Sequence, residues 1–299
     1  RGMALAAFPS AAEARREEGV LRARDGLELA WQRYRPDSAR ATVAVLHGGG
    51  DHSGRYPGIT SALVRAGMEV ALLDFRGHGR SGGARWHVLR FGEYLDDLEV
   101  FLEKVGAEAA GRRLFLVGHS QGGLIAARWG LDPRRPLAGV VLSSPWLRLA
   151  FEPPRIKVAV GRVLGKLWPA LPVAAGLDLA TLTSDPEMQR WTDEDRLYGR
   201  KATPRWFDEA TRAQEEVRRR AGEFAHPLLV LVGEADSIAD PAAGRAFCEA
   251  AASRDKRLVS YPGFRHEIFN EVGRERPIAD TVAWISERVT PSEARGRGS

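Results

Sequence analysis

Cysteine, lysine and long apolar stretches are scarce in this sequence. Cys248 is the only cysteine among 299 residues, so an intramolecular disulfide is excluded and nothing marks an oxidising compartment. No segment approaches the roughly 18 consecutive apolar residues that a membrane-spanning helix requires. The sequence therefore predicts a cytoplasmic globular protein without structural disulfides.

The positive charge comes almost entirely from arginine. Lysine occurs at five positions only, in a chain whose formal net charge is +5. The arginines are spread along the chain, and only residues 218–220 form a run. Because no basic stripe alternates with aromatic residues, we expect no nucleic-acid partner.

Motifs for metal or dinucleotide binding are missing or incomplete. The seven histidines show no H-E-x-x-H spacing, and a single cysteine cannot form C-x-x-C, so no metal is expected. Residues 77–82 fit G-x-G-x-x-G, but no helical pattern opens directly after them, as a dinucleotide site would require. No cofactor is predicted.

Hydrophobic patterning alternates between buried strands and amphipathic helices. Two strands flank Asp25 and Gly26, a dipeptide typical of a two-residue hairpin turn. Apolar runs then predict buried strands at residues 41–46, 69–75, 114–117, 137–142, 228–232 and 256–261. Helical patterns lie between them at residues 59–66, 91–105, 241–252 and 278–289. This order implies an α/β fold with a mostly parallel central sheet, an antiparallel N-terminal hairpin and helices on both faces.

The alternation is interrupted once, which suggests an insertion. Residues 146–223 show no buried strand and read as helices broken by prolines. We predict that this segment is a helical cap inserted into a core of residues 18–145 and 224–290. Residues 1–17 and 291–299 are expected to be flexible termini.

A strand, a sharp turn and a helix surround Ser120. Residues 118–122 read Gly-His-Ser-Gln-Gly, the G-x-S-x-G pattern, between the apolar run at 114–117 and a helical pattern. Glycines two positions before and after the serine leave room for a strained turn that exposes its hydroxyl at the edge of a sheet. Ser120 is therefore the candidate nucleophile.

A serine nucleophile needs a base and an acid that orients the base. Asp236 and His266 each follow a predicted strand, and the order Ser120, Asp236, His266 is the one expected of an α/β-hydrolase. Asp240 is the alternative acid, although it precedes Pro241 and suits a helix N-cap better. None of the other six histidines follows a strand that comes after the acid.

Backbone N–H groups near Ser120 are candidates for binding an oxyanion. The N–H of Gln121 follows the nucleophile, and the loop at residues 47–50, His-Gly-Gly-Gly, comes directly after a buried strand. We predict that Gly49 and Gln121 donate the two hydrogen bonds.

Four stretches carry a resemblance to a known family. They read HGGGDHSGRY at residues 47–56, DFRGHGRS at 74–81, GHSQGG at 118–123 and GEAD at 233–236. Together they resemble the monoacylglycerol lipase and lysophospholipase branch of the α/β-hydrolases, over residues 18–288. The resemblance implies a serine hydrolase with the triad named above and a hydrophobic cap over an acyl pocket. Gln121 departs from it, because methionine often stands there.

The cap contains an amphipathic stripe near residues 156–171. Its apolar members are Ile156, Val160, Val163, Leu164, Leu167, Trp168 and Leu171. This face either packs over the core, lines an acyl tunnel or makes transient contact with a membrane surface. Leu167, Trp168 and Leu171 are the candidate substrate contacts.

The sequence thus predicts a serine carboxylester hydrolase that cleaves monoacylglycerols to fatty acid and glycerol through an acyl-enzyme. A lysophospholipase or a small-ester or aryl esterase would use the same triad, and a non-catalytic homologue is the remote alternative. The expected partner is a small-molecule lipid ester. The expected location is cytoplasmic, with peripheral contact to a membrane as the alternative.

Overall fold

A computed structural model describes residues 7–10, 12–107, 109, 111–152 and 155–289, with backbone only at 155–158 and 162. The strands in these ranges are β1 (Arg15–Arg22), β2 (Glu28–Arg35), β3 (Ala41–Leu46), β4 (Met68–Leu73), β5 (Arg113–His119), β6 (Gly139–Ser143), β7 (Val173–Ala174), β8 (Lys201–Ala202), β9 (Leu228–Gly233) and β10 (Lys256–Tyr261). The α-helices there are α1 (Pro57–Arg65), α2 (Gly92–Ala107), α3 (Gln121–Leu131), α4 (Arg155–Leu167), α5 (Leu179–Leu182), α6 (Pro186–Glu194), α7 (Pro204–Arg219), α8 (Pro241–Ala250) and α9 (Glu275–Val289).

Eight strands form one sheet in the order β1-β2-β4-β3-β5-β6-β9-β10. β2 pairs antiparallel with β1 and with β4, and the other neighbouring pairs are parallel. The mostly parallel sheet with an antiparallel N-terminal hairpin is therefore confirmed. Because β3 to β6, β9 and β10 run the same way, the loops that leave them meet at one edge of the sheet.

Helices cover both faces of this sheet. Alternate residues of β3 point to opposite faces: Ala44 and Leu46 pack with α2, α3 and α8, whereas Val43 and Val45 pack with α1 and α9. All six residues of β3 are buried, as its continuous apolar run predicts. The two apolar layers hold the strand ends in fixed positions.

The N-terminal hairpin differs from the expectation in two ways. β1 begins at Arg15, so part of the segment expected to be a flexible terminus is a strand, and its charged residues suit an edge strand with one side in water. Glu17 forms an ion pair with Arg33 of β2. The turn has three residues rather than two, because the Ala23 N–H donates to the Leu27 carbonyl and Gly26 adopts a φ of 87°.

Between β6 and β9 the chain forms α4 to α7 and a small antiparallel sheet of β7 and β8. That two-residue pairing was not predicted, since strands this short leave no periodic signal. α7 packs on α3 through residues spaced three and four apart, which are Trp206, Ala210, Ala213 and Val217. This segment therefore sits directly over the helix that follows Ser120.

Candidate active site

Ser120 occupies the strained turn between β5 and α3. Its backbone has φ 52° and ψ −115°, a conformation that non-glycine residues rarely adopt. A Cβ on Gly122 would lie 2.2 Å from the Leu46 carbonyl oxygen, and a Cβ on Gly118 would lie 2.4 Å from the Gly122 carbonyl oxygen. The two glycines of G-x-S-x-G are thus required by close backbone packing, as the sequence predicts.

The side chains of Ser120, His266 and Asp236 form one hydrogen-bonded chain. His266 Nε2 lies 2.8 Å from Ser120 Oγ, and His266 Nδ1 lies 2.7 Å from Asp236 Oδ2. The other carboxylate oxygen of Asp236 accepts from the N–H groups of Ile238 and Ala239 at 2.8 and 2.9 Å. Asp236 therefore has a fixed orientation, and His266 can accept the serine proton through Nε2 while donating through Nδ1.

The pKa values of two neighbouring histidines are shifted in opposite directions. Burial alone would lower the pKa of His266, but the charge and hydrogen bond of Asp236, assisted by Glu267 and Asp51, raise it above its usual value. His119, whose ring centroid is 5.0 Å away, has its pKa lowered to about 3 by burial and by His266. A pKa this low makes His119 a weak base, and it is His266, not His119, whose Nε2 lies 2.8 Å from Ser120 Oγ.

Asp240, the alternative acid, has a structural role at a helix N-terminus. Asp240 is the N-cap of α8, where its side chain accepts from the Ala242 N–H at 2.8 Å, and it also pairs with Arg148. Of the other histidines, His47 Nε2 accepts from the Phe75 N–H at 2.9 Å, and His52 Nε2 lies 2.8 Å from Asp195 Oδ2. These contacts hold loops together and do not reach Ser120.

The Gly-rich loop after β3 lies against the nucleophile turn. A Cβ on Gly48 would be 3.3 Å from Ser120 Cβ, and a Cβ on Gly49 would be 3.0 Å from Gln121 Oε1. The Gly48 N–H donates to Tyr56 Oη at 3.2 Å and is therefore engaged. Gln121 is the first residue of α3, so its N–H has no acceptor within the helix. These positions suit Gly49 and Gln121 as backbone donors.

The side chain of Gln121 is fully buried and points to the cap segment. Its Oε1 accepts a hydrogen bond from Trp206 Nε1 at 3.0 Å. Trp206 stacks on Trp146 with ring centroids 5.3 Å apart and meets Trp86 edge-on at 4.9 Å. Gln121, which stands where methionine is common in the family that the sequence resembles, thus accepts a hydrogen bond from an indole N–H.

A cavity of about 710 Å³ opens beside Ser120 and His266. Much of its wall is made of apolar side chains, which include Leu149, Phe151, Val160, Leu164, Val173, Leu177, Phe207 and Ile238. Near Ser120 the wall also includes Asp51, Tyr198 and Glu267. The cavity therefore joins a polar end at the serine to an apolar arm under the cap segment.

The three cap residues expected to contact substrate lie on an exposed face. Leu167, Trp168 and Leu171 are 61%, 59% and 42% exposed and are not part of the cavity wall. Val160 and Leu164, one helical turn apart, line the cavity instead. The apolar stripe is thus wider than the face turned to the cavity, and substrate contact by Leu167, Trp168 and Leu171 stays a prediction. The Ile156 side chain lies outside the described residues.

Sequence reasoning missed several residues around the site, chiefly Arg55, Glu267, Tyr198 and Trp206. Arg55 lies inside the HSGRY string and Glu267 directly follows His266, so closeness to these motifs is the sequence signal that marks both residues. Within the described ranges, no cluster of three or more His, Cys, Asp or Glu side chains could hold a metal. No helix in those ranges has the length and apolar character to span a bilayer.

A serine hydroxyl bonded to an imidazole, at the carboxyl edge of a sheet of this topology, is the arrangement found in α/β-hydrolases. The chain is a serine ester hydrolase of that fold. More narrowly, residues 37–273 match the family described as serine aminopeptidase, S33, and the chain belongs to that family.

Several characterised proteins are similar over most of their length. A monoacylglycerol lipase of Mycolicibacterium smegmatis is 32% identical over 262 residues, which cover 87% of this chain and 93% of that one. Phospholipase YtpA of Bacillus subtilis is 31% identical over 244 residues, covering 81% and 93%. The crystal structure of Paleococcus ferrophilus monoacylglycerol lipase superposes with a TM-score of 0.80 at 31% identity, covering 88% and 99%. The resemblance inferred from the sequence is confirmed.

Proposed function

We propose that the protein hydrolyses monoacylglycerols to fatty acid and glycerol, with Ser120, His266 and Asp236 as the catalytic triad. The observation that carries this proposal is the cavity, whose polar end holds Ser120 and whose apolar arm extends under the cap segment. Such a cavity suits one acyl chain with a small polar head. The similarity to monoacylglycerol lipases supports the same substrate class.

In the first half of the reaction, Ser120 Oγ attacks the ester carbonyl carbon while His266 Nε2 takes the hydroxyl proton. The N–H groups of Gly49 and Gln121 would bind the oxyanion of the tetrahedral intermediate. Asp236 holds the imidazolium in the orientation that faces the leaving group. When the ester C–O bond breaks, His266 returns the proton to the glycerol oxygen, which leaves an acyl-serine.

Water completes the cycle by the same steps. His266 removes a proton from a water molecule, the resulting hydroxide attacks the acyl carbonyl, and the intermediate releases fatty acid as Ser120 recovers its proton. Neutral imidazole is the active form of the base in both halves. Because its pKa is raised, activity is expected to fall as pH drops through that raised value.

The chain division of the enzyme is part of the proposal. Residues 18–145 and 224–290 form the catalytic core, and residues 146–223 act as the cap over the acyl arm. Val160 and Leu164 of α4 and Phe207 of α7 border that arm. An acyl chain bound against these side chains would be removed from water, and this burial of apolar surface would favour binding.

The outer face of the cap supports a second part of the proposal, transient contact with a lipid surface by a cytoplasmic protein. Val163, Leu167 and Trp168 are all more than half exposed and do not line the cavity, and Lys166 lies next to Leu167 in the sequence. Exposed apolar residues next to a cation suit the boundary between acyl chains and head groups. Insertion of these side chains into a lipid surface would bring single lipid molecules close to the cavity.

Lysophospholipids are the second candidate substrates, because a phospholipase is among the similar proteins. They share the single acyl chain but carry a larger, charged head. An aryl or short-chain esterase would share only the triad. The three substrate classes are distinguished by head-group and chain-length preference.

The test is hydrolysis of a monoacylglycerol chain-length series beside a matched lysophosphatidylcholine and short aryl esters, by wild type and Ser120→Ala. We expect the highest kcat/KM for monoacylglycerols and no turnover by Ser120→Ala. Preference for lysophosphatidylcholine would assign the protein to the second candidate. No ester hydrolysis by wild type beyond Ser120→Ala would contradict the catalytic proposal and favour a binding role.

A further inference from the structure

One guanidinium group joins three separate parts of the chain beside the site. Arg55 is fully buried; its Nε lies 2.9 Å from Asp51 Oδ1, and its Nη2 lies 3.0 and 3.2 Å from the two carboxylate oxygens of Glu267. Its Cζ also lies 4.9 Å from the Trp191 ring centroid and 5.2 Å from that of Tyr198. Both aromatic residues belong to the cap segment.

Each carboxylate partner is attached to a different element of the site. Glu267 directly follows His266, so the Arg55 contact fixes the loop that carries the base. Asp51 Oδ2 accepts from Tyr56 Oη at 2.7 Å, and the same Oη accepts from the Gly48 N–H. The contact with Asp51 therefore fixes the loop that contains Gly49.

The cluster carries more negative than positive charge. Arg55 offers one positive charge to two carboxylates, and all three groups are buried. The surplus negative charge faces His266, which is also faced by Asp236 and by the neutral ring of His119. Because a buried charge is costly without a partner, this surplus favours the step in which His266 holds a proton.

We propose that Arg55 and Glu267 are positioning residues for the hydrolytic reaction, and that the Trp191 and Tyr198 rings of the cap complete their arrangement. The cap thereby contributes to assembly of the catalytic centre as well as to the acyl arm. This inference rests on the proposed role of His266 as the base. Glu267 and Tyr198 border the cavity beside Ser120, and none of the four residues belongs to the apolar arm, so we expect the main effect on kcat rather than on acyl-chain binding.

The test compares Glu267→Gln, Arg55→Lys and Trp191→Leu with wild type, with kcat expressed per active site titrated by a fluorophosphonate. Glu267→Gln keeps the shape of the side chain but removes its charge, and Arg55→Lys keeps the charge but loses the planar fork. We expect kcat per titrated site to fall by roughly 10- to 100-fold for Glu267→Gln and Arg55→Lys, and less for Trp191→Leu, with KM little changed. In Glu267→Gln the acidic limb of kcat/KM should move to lower pH, because a negative charge beside His266 is lost.

Asp97→Asn is the matched control for the cost of disturbing a buried ion pair. Asp97 pairs with Arg76 at 2.6 and 2.7 Å, is fully buried and contacts none of the groups at Ser120. The Asp97→Asn variant should have a lower melting temperature than wild type, with kcat per titrated site and the pH profile unchanged. If Glu267→Gln and Arg55→Lys behave as Asp97→Asn does, the positioning role is refuted. If the fluorophosphonate does not label Ser120 in the wild-type protein, the proposed function itself is refuted.

Discussion

The indole N–H of Trp206 donates a hydrogen bond to the side-chain oxygen of Gln121 over 3.0 Å. Trp206 lies at the start of α7, and Gln121 directly follows the candidate nucleophile, so this bond joins the cap segment to the turn that carries Ser120. Both side chains are buried. The position of the cap over the site is therefore tied to the identity of residue 121.

Gln121→Met should destabilise the protein without removing the backbone donor at position 121. The Trp206 N–H would remain buried without its acceptor, which typically costs about 1–3 kcal/mol of the free energy of unfolding. Urea unfolding measures this loss. Trp206→Phe removes the donor, so the double variant should lose less than the sum of the single losses. Strictly additive losses would show that the hydrogen bond contributes nothing.

Leu164→Ser should weaken binding of long acyl chains. Leu164 lines the apolar arm, so a polar side chain there should raise KM for long-chain esters by roughly 3- to 10-fold and leave acetate esters almost unchanged. Leu167→Ser and Trp168→Ser are the matched controls from the exposed face. They should leave KM for dissolved esters unchanged and reduce binding to phospholipid vesicles. A chain-length-dependent rise in KM for the Leu167 and Trp168 variants would instead show that these two residues contact substrate.

The contrast between Leu164 and Leu167 shows where prediction from sequence reaches its limit. Strands β3 and β10 begin and end at the predicted residues, and Ser120, Asp236 and His266 follow their strands, because these features depend on local pattern and chain order. The orientation of a helical face depends on what packs against it. The Arg55–Glu267 contact spans 212 positions in sequence, and no local pattern announces it.

His52 and Asp195 should give part of the stability a defined pH dependence. Burial opposes protonation of His52, but the hydrogen bond and charge of Asp195, only 2.8 Å away, raise its pKa above the usual 6.5. A group whose pKa is raised on folding stabilises the protein fully below its unfolded pKa, and this contribution is lost as pH rises through the folded value.

Asp195→Asn should therefore lower the free energy of unfolding more at about pH 6 than at about pH 9. Chemical denaturation of both proteins at the two pH values measures the difference. His52→Gln should remove most of that pH dependence from the comparison. An equal loss at both pH values would mean that His52 is neutral throughout and that its contact with Asp195 is an ordinary hydrogen bond.

Gly122→Ala should abolish activity through the backbone packing around the serine turn. The added Cβ would lie 2.2 Å from the Leu46 carbonyl oxygen and 2.6 Å from that of His47, and neither backbone atom can rotate away. We expect a loss above about 3 kcal/mol in the free energy of unfolding, and little fluorophosphonate labelling of any protein that folds. Gly92→Ala is the control, because Gly92 begins α2 and a Cβ there meets nothing within 4 Å. That variant should be as stable as wild type or slightly more so, since alanine favours helix. Wild-type stability and kcat in Gly122→Ala would show that the loop after β3 can move without cost, and Gly49 would then lose its fixed place beside Ser120.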